Sequence, residues 1–157
     1  MNNLNILVSE IDRAIEPYNL EKAIPLVEQY TGNDWVNFRL ENNETYSKIR
    51  VPLGSIQNDF EIFIITWKPG QCSPIHDHAK FGCILKVLEG NLIEDRYTEA
   101  LTEEKTYTYS EGSVHFMSNE YGVHSVKNIG DETAVSLHVY APANHEARIF
   151  SRGKACT

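Results

Sequence analysis

The chain has 157 residues, enough for one domain that buries its own core without needing a metal or a disulfide to hold it together. Its net charge of −8 is dispersed and repels phosphate groups, which argues against nucleic acids and anionic membranes as partners. No apolar segment reaches the roughly 20 residues that span a bilayer, and the amino terminus lacks the features of a signal peptide. We therefore expect a cytoplasmic monomer.

The first 32 residues carry a helical pattern. Apolar residues between positions 4 and 15 recur at helical spacing and predict a first helix, which Pro17 ends. A second helix is predicted to begin near Leu20 and to end near Gly32. Residues 1–32 are therefore expected to form a helical cap.

The pattern then changes to short segments rich in β-branched and aromatic residues, separated by turn signals. The predicted strands are 60–67, 84–88, 92–97, 106–109, 113–117, 124–126 and 134–140. Many short strands without intervening helices are typical of an antiparallel sandwich or a small barrel. The sequence predicts one mainly β domain over residues 1–157, in which an antiparallel β-barrel or jelly roll with its tail (33–157) follows the N-terminal helical segment.

Two histidines, His76 and His78, stand one residue apart in a predicted strand. Alternate residues of a strand share a face, so both imidazoles are expected to point the same way and to bind one metal ion. His124, at the start of a later alternating strand, is the best candidate for a third ligand. Three imidazoles are compatible with iron and with zinc, so the ligands alone leave the metal open.

One face of the last predicted strand combines a hydroxyl, an imidazole and a phenol, from Ser136, His138 and Tyr140. Such a set suits moving or holding a proton near a metal-bound ligand.

The three cysteines are Cys72, Cys83 and Cys156. Their odd number and irregular spacing predict neither a disulfide framework nor a zinc site. Cys72 and Cys156 are interpreted as structural or surface thiols.

The spacing Gly-x5-His-x-His-x4-Cys-x6-Gly, from Gly70 to Gly90, resembles the first motif of the cupin superfamily, in which the position of Cys83 usually holds a glutamate. His124, followed four residues later by Asn128, resembles the end of the second motif. More specifically, the chain from about residue 46 to 142 resembles the cysteine dioxygenase type I family of thiol dioxygenases. The resemblance rests on 73–78, Cys83, 85–92, 122–128 and 134–140.

This resemblance implies that His76, His78 and His124 bind Fe(II). It also implies an enzyme that oxidises L-cysteine with O2 to cysteine sulfinic acid.

The resemblance further implies a role for five other residues. Arg50 falls at the position of an arginine that pairs with the substrate carboxylate, for which a guanidinium is well suited. Ser136, His138 and Tyr140 match residues that act beside the iron. Cys83 and Tyr140 match two residues that a thioether bond joins in animal members.

One departure and two alternatives remain. Lys48 replaces a tyrosine that the family often has two residues before the arginine. Relatives that act on 3-mercaptopropionate lack an arginine at the position of Arg50 and use a later one, for which Arg148 is available. A non-catalytic metal-binding cupin is the second alternative, because one fold serves many functions. The residues on the face of His138 argue against it.

Overall fold

The computed structural model describes residues 3–16 and 19–151, and its first elements are helical. They are α1 (Leu4–Ala14) and α2 (Ile24–Gln29), with 3₁₀ turns at Leu20–Ala23, Asp34–Phe38 and Asn119–Tyr121. The Asn3 side chain caps α1 by accepting a hydrogen bond from the Ile6 amide at 2.9 Å. The predicted N-terminal helical segment is confirmed, although its predicted boundary at Pro17 falls outside the described residues. None of the helices described combines the length and the apolar character needed to cross a membrane.

Antiparallel strands are the main regular structure of the described chain. The strands are β1 (Ser47–Arg50), β2 (Glu61–Trp67), β3 (Ile75–His76), β4 (Cys83–Glu89), β5 (Leu92–Tyr97), β6 (Glu103–Tyr109), β7 (Val114–Met117), β8 (Val123–Lys127), β9 (Ala134–Tyr140) and β10 (Ile149–Ser151). They form two five-stranded sheets, with the orders β1-β2-β9-β4-β7 and β10-β3-β8-β5-β6. The prediction of a mainly β, antiparallel fold is confirmed. Among the described residues, pairing produces two sheets, as in a jelly roll, and not a closed barrel.

The first sheet is apolar on both faces because helices cover its outer face. Ile62 and Ile64 of β2 belong to one core cluster with Leu7 and Ile11 of α1. Alternate residues, such as Trp67, belong to a second cluster on the other face of the sheet. Strands buried on both faces usually carry nearly continuous apolar runs. Polar side chains on the face of this sheet that is turned towards the second sheet therefore call for a functional explanation.

Lys86 connects β4 to the end of α2. Its ammonium donates hydrogen bonds to the carbonyl oxygens of Val27, Glu28 and Tyr30 at 3.0, 3.1 and 2.5 Å. The last carbonyls of a helix have no partner within the helix, and a nearby lysine can satisfy them.

We expect Lys86→Met to destabilise the fold, because it keeps most of the side-chain volume but removes the three hydrogen bonds that the ammonium donates to these carbonyls. The expected loss is about 2–4 kcal/mol of unfolding free energy, or roughly 5–15 °C in Tm for a chain of this size. Thermal unfolding followed by circular dichroism measures it. Lys105→Met, at an exposed position, is the control; an equal shift in both variants would contradict the role of Lys86.

The cysteines differ from their predicted state at one position. Cys72 is disulfide-bonded, so the interpretation of this residue as a thiol is wrong. An odd number of cysteines argues against a complete framework but still permits a single bond. Cys83 is a buried free thiol, and Cys156 lies outside the described residues.

Candidate active site

A cavity of about 170 Å³ opens between the two sheets. Residues that line it include Lys48, His76, Cys83, His124, His138 and Tyr140. Cavities for drug-sized ligands measure about 300–1,000 Å³, so this one suits a smaller molecule.

The three histidines predicted as ligands come together beside this cavity. His76 of β3 lies directly opposite His124 of β8, and their Nε2 atoms are 3.2 Å apart. The ring centre of His78 lies 4.2 Å from that of His124 and 6.0 Å from that of His76. The fold therefore gathers imidazoles from two distant parts of the chain.

His78 reaches this cluster by a different route from the one predicted. Strand β3 ends at His76, so strand alternation does not determine the direction of His78. Instead, the His78 amide donates to Asn119 Oδ1 at 2.9 Å, and Asn119 Nδ2 donates to the His78 carbonyl at 3.2 Å. The turn before β8 therefore holds this histidine.

All three imidazoles are neutral near physiological pH. Burial, reinforced by the charges that His124 and His76 would carry, lowers the pKa of His78 to about 2. Burial also lowers the pKa of His76, and it lowers the pKa of His124 well below its ordinary value. Each ring therefore offers one lone pair.

The hydrogen bonds leave these lone pairs available. His76 Nδ1 donates to the Pro74 carbonyl at 2.7 Å, which leaves Nε2 as an acceptor. Within the described residues, both ring nitrogens of His78 have no hydrogen-bond partner. Buried polar atoms without partners are costly and call for an explanation, such as an ion.

The donor set fits a divalent metal ion, although the rings do not form a finished site. Two nitrogens bound to one ion at about 2.0–2.1 Å lie roughly 2.8–3.4 Å apart at octahedral to tetrahedral angles. The spacing of 3.2 Å between His76 and His124 falls in this range. His78 does not complete the set, because no group of three or more His, Cys, Asp or Glu side chains in the described part of the chain has metal-site geometry.

A buried carboxylate lies behind His124. Glu94 of β5 is 2% exposed, and its Oε1 lies 3.4 Å from His124 Nδ1. Glu94 also accepts hydrogen bonds from Arg96 Nε, at 2.6 Å, and from the Tyr109 hydroxyl. Its charge favours the His124 tautomer with a proton on Nδ1, which leaves Nε2 for a metal. Glu94 was not predicted, although an acid two residues after the apolar Leu92, on the same face of the strand, is a usable signal.

A directed chain of hydrogen bonds runs along the inner face of β9. Trp67 Nε1, which can only donate, donates to Ser136 Oγ at 2.9 Å. The Ser136 hydroxyl donates in turn to His138 Nε2 at 2.8 Å. Burial lowers the pKa of His138 well below its ordinary value, so the neutral ring carries its proton on Nδ1 and donates it to the Tyr140 oxygen at 3.1 Å. The hydroxyl proton of Tyr140 is then free to point into the cavity or towards Cys83.

Cys83 is placed beside this phenol. Cys83 of β4 lies opposite Tyr140 of β9, and its Sγ is 3.9 Å from His138 Nδ1. Burial raises the pKa of the Cys83 thiol to about 12, which the charge of Lys48 partly offsets. Burial also raises the pKa of Tyr140 well above its ordinary value. The structure therefore brings a neutral thiol and a neutral phenol together, and the thioether bond between them stays a prediction.

Arg50, the predicted carboxylate-binding residue, lies apart from the cavity. It borders a separate, more open groove, and its Nη2 lies 3.3 Å from Glu61 Oε2. The cavity lining reported above includes Lys48 instead. Arg148, the alternative arginine, has an exposed side chain and is likewise absent from the residues that line the cavity. The role of Arg50 stays a prediction.

One further cavity residue was not predicted. His145 lines the cavity, and its Nε2 lies 3.0 Å from Asp77 Oδ1. Asp77 also accepts a hydrogen bond from the Arg148 amide at 2.8 Å. No local sequence pattern indicates this contact, which joins segments that are 68 residues apart.

Comparison with known proteins gives this site a family. The model of the cysteine dioxygenase type I family matches residues 5–153. The chain belongs to the cysteine dioxygenase type I family. Cysteine dioxygenase type 1 of Rattus norvegicus is 31% identical over 143 residues, which cover 85% of this chain and 70% of the rat protein. Membership supports a thiol dioxygenase, an enzyme with a metal cofactor, a thiol substrate and O2.

Solved structures confirm the fold of this member of the cysteine dioxygenase type I family. A Klebsiella pneumoniae protein with a double-stranded beta-helix domain has a TM-score of 0.59 and 19% identity, over 73% of this chain and 91% of that protein. Bacillus subtilis oxalate decarboxylase has a TM-score of 0.57 and 17% identity, over 73% of this chain and 30% of that one. At these identities the likeness shows the cupin fold alone.

Proposed function

We propose that His76, His78 and His124 bind Fe(II) and that the chain oxidises L-cysteine with O2 to cysteine sulfinic acid. The proposal rests on one observation, the cluster of three neutral imidazoles, two of them buried, beside a small cavity that the Tyr140 phenol also lines. In the reaction, R–SH and O2 give R–SO2H, so both oxygen atoms pass to sulfur and the electrons that sulfur loses reduce dioxygen. When bound, iron supplies coordination positions for the thiolate and for O2.

The surrounding side chains orient the reactants. Three neutral ligands leave the positive charge of the ion uncompensated, which favours an anionic thiolate in the cavity. The small volume of the cavity holds the thiol close to its oxidant, and such proximity is a large part of the rate enhancement. The Trp67–Ser136–His138 chain fixes the Tyr140 oxygen as an acceptor, so its own proton can stabilise charge that develops on oxygen.

We also propose that the chain functions in the cytoplasm as a monomeric single domain, with residues 1–32 as its helical cap. One core cluster shared by the helices and the first sheet supports the single domain. Analytical ultracentrifugation at micromolar concentration tests the oligomeric state, and a dimer mass would contradict the proposal.

Oxygen uptake tests the activity. Protein loaded anaerobically with Fe(II) should consume O2 with L-cysteine and release the sulfinate in equal amounts, as measured with an oxygen electrode and mass spectrometry. Metal-free protein is the control. Protein that holds iron and gives no uptake with any small thiol would refute the proposal and favour a non-catalytic cupin.

3-Mercaptopropionate is the second candidate substrate. It stays a candidate because Arg50, the arginine expected to bind the carboxylate of L-cysteine, does not line the cavity. Both thiols carry a carboxylate, but only L-cysteine has an amine that can also reach the metal. The ratio of kcat/KM for the two thiols decides between them. A ratio below one for L-cysteine over 3-mercaptopropionate would reverse the assignment.

We expect a thioether bond to form between Cys83 and Tyr140 during turnover. The bond joins Sγ to a ring carbon, and the two hydrogens lost, with their electrons, pass to dioxygen. The Cys83–Tyr140 pairing across β4 and β9 places the groups side by side. Intact-mass measurement should show a species lighter by two hydrogens in wild type but not in Cys83→Ser. An unchanged wild-type mass after many turnovers would contradict the bond.

A further inference from the structure

Lys48 places a positively charged side chain in the lining of the cavity. Lys48 and Arg50 share one face of β1, and Lys48 lines the cavity together with Tyr46, the residue just before the strand, while Arg50 does not. Among the lysines and arginines of the described residues, Lys48 alone is found in that lining. A small anionic ligand that enters this cavity would therefore meet an ammonium and not a guanidinium.

The Lys48 ammonium is available for a ligand. Its Nζ lies 4.4 Å from the ring centre of Phe63 and 4.9 Å from that of Tyr140. Within the described part of the chain, no hydrogen bond or salt bridge joins it to an acceptor. Burial lowers the pKa of Lys48, and the charge of Glu61 partly offsets this effect. Burial has already removed part of the hydration of this ammonium, and its neighbours are aromatic rings and not anions. Binding an anionic ligand therefore costs little further desolvation.

Arg50 already has an anionic partner. Its Nη2 lies 3.3 Å from Glu61 Oε2, and the Glu61 side chain is 6% exposed. Glu61 also lines the cavity, so it stands between the Arg50 guanidinium and a ligand there. The charge of Arg50 is therefore already partly neutralised by a buried carboxylate, which weakens its attraction for a substrate carboxylate.

We propose that the ammonium of Lys48, and not the guanidinium of Arg50, binds the carboxylate of the substrate thiol. The inference rests on the proposed function, and it defines the substrate class as small thiols that carry a carboxylate. Lysine is a point charge on a flexible stem, whereas arginine offers a fixed fork of donors. Recognition by Lys48 selects for negative charge more than for the exact position of the carboxylate.

Binding measurements separate Lys48 from Arg50. Anaerobic, Fe(II)-loaded wild type, Lys48→Met, Lys48→Arg and Arg50→Met are titrated calorimetrically with L-cysteine and with cysteamine, which lacks the carboxylate. We expect Lys48→Met to weaken L-cysteine binding roughly 10- to 100-fold, as loss of a charge-assisted hydrogen bond implies. Cysteamine binding should change by less than about threefold, because Lys48 has no carboxylate to contact. Lys48→Arg, which keeps a cation, should recover most of the affinity, and Arg50→Met should lose less than Lys48→Met.

The matched control is Lys105→Met. Lys105 Nζ lies 4.9 Å from the Tyr107 ring centre, the same kind of contact as in the Lys48–Tyr140 pair, but outside the cavity lining. This variant should bind L-cysteine as wild type does. Circular dichroism melts verify that each variant is folded.

The outcomes distinguish this inference from the proposed function. If Arg50→Met loses L-cysteine affinity while Lys48→Met keeps it, the inference is overturned and the sequence-based prediction of Arg50 is supported. An equal loss of L-cysteine and cysteamine affinity in Lys48→Met would also overturn it, because the effect would not depend on a carboxylate. Wild type that binds L-cysteine without consuming O2 would contradict the activity but not the role of Lys48.

Discussion

His124→Ala is expected to abolish iron binding and to reduce oxygen uptake with L-cysteine to below about 1% of wild type. Loss of residues that merely support metal ligands typically costs about 10–100-fold in metal affinity or activity, so loss of a ligand should cost more. Among the three imidazoles, His124 is the central ring, with its Nε2 3.2 Å from that of His76 and its ring centre 4.2 Å from that of His78. Iron content by elemental analysis and an oxygen electrode measure the two effects.

His115→Gln is the matched control for His124→Ala. His115 also lies on a β-strand, β7, but it stacks on the Tyr109 ring with the ring centres 3.4 Å apart, and its Nε2 lies 2.9 Å from Ser113 Oγ. This histidine is separate from the cluster, so its variant should keep its iron. His124→Ala protein that is folded, holds stoichiometric iron and still turns over L-cysteine would refute the assignment of the ligands.

The long strands were predictable because their signals are local. Strands β5 and β9 begin and end at the predicted residues, 92–97 and 134–140, since both are apolar segments with clear turn signals at their ends. Strands β1 and β10 were missed. They are short edge strands in their sheets, and β1, Ser47–Arg50, contains polar and basic residues that give no alternating pattern. Their pairing depends on neighbours that are distant in sequence.

The candidate site was likewise predictable only where the signal is local. The inner face of β9 was predictable, because strand alternation alone places Ser136, His138 and Tyr140 together. Alternation could not determine whether residue 48 or residue 50 faces the cavity, because both lie on the same face of β1. In the structure, Arg50 pairs with Glu61 of the neighbouring strand, and Lys48 is the residue that lines the cavity. Such a contact between strands leaves no trace in the spacing of a single segment.

Glu94→Gln is expected to lower iron affinity roughly 10- to 100-fold, because it removes the charge that fixes the tautomer of His124 while keeping the side chain's shape. It also leaves Arg96, whose side chain is 17% exposed, without its anion. Breaking a partly buried ion pair should cost about 2–4 kcal/mol of stability, which thermal unfolding measures. Iron affinity is measured by competition with a chelator.

The double variant Glu94→Gln, Arg96→Met separates these two effects. It restores the charge balance, so part of the lost stability should return, but His124 still lacks its carboxylate and iron affinity should remain low. If iron affinity recovers together with stability, Glu94 acts only by holding the fold together. If it stays low in a protein that melts near the wild-type temperature, the carboxylate 3.4 Å from Nδ1 acts on the metal ligand itself.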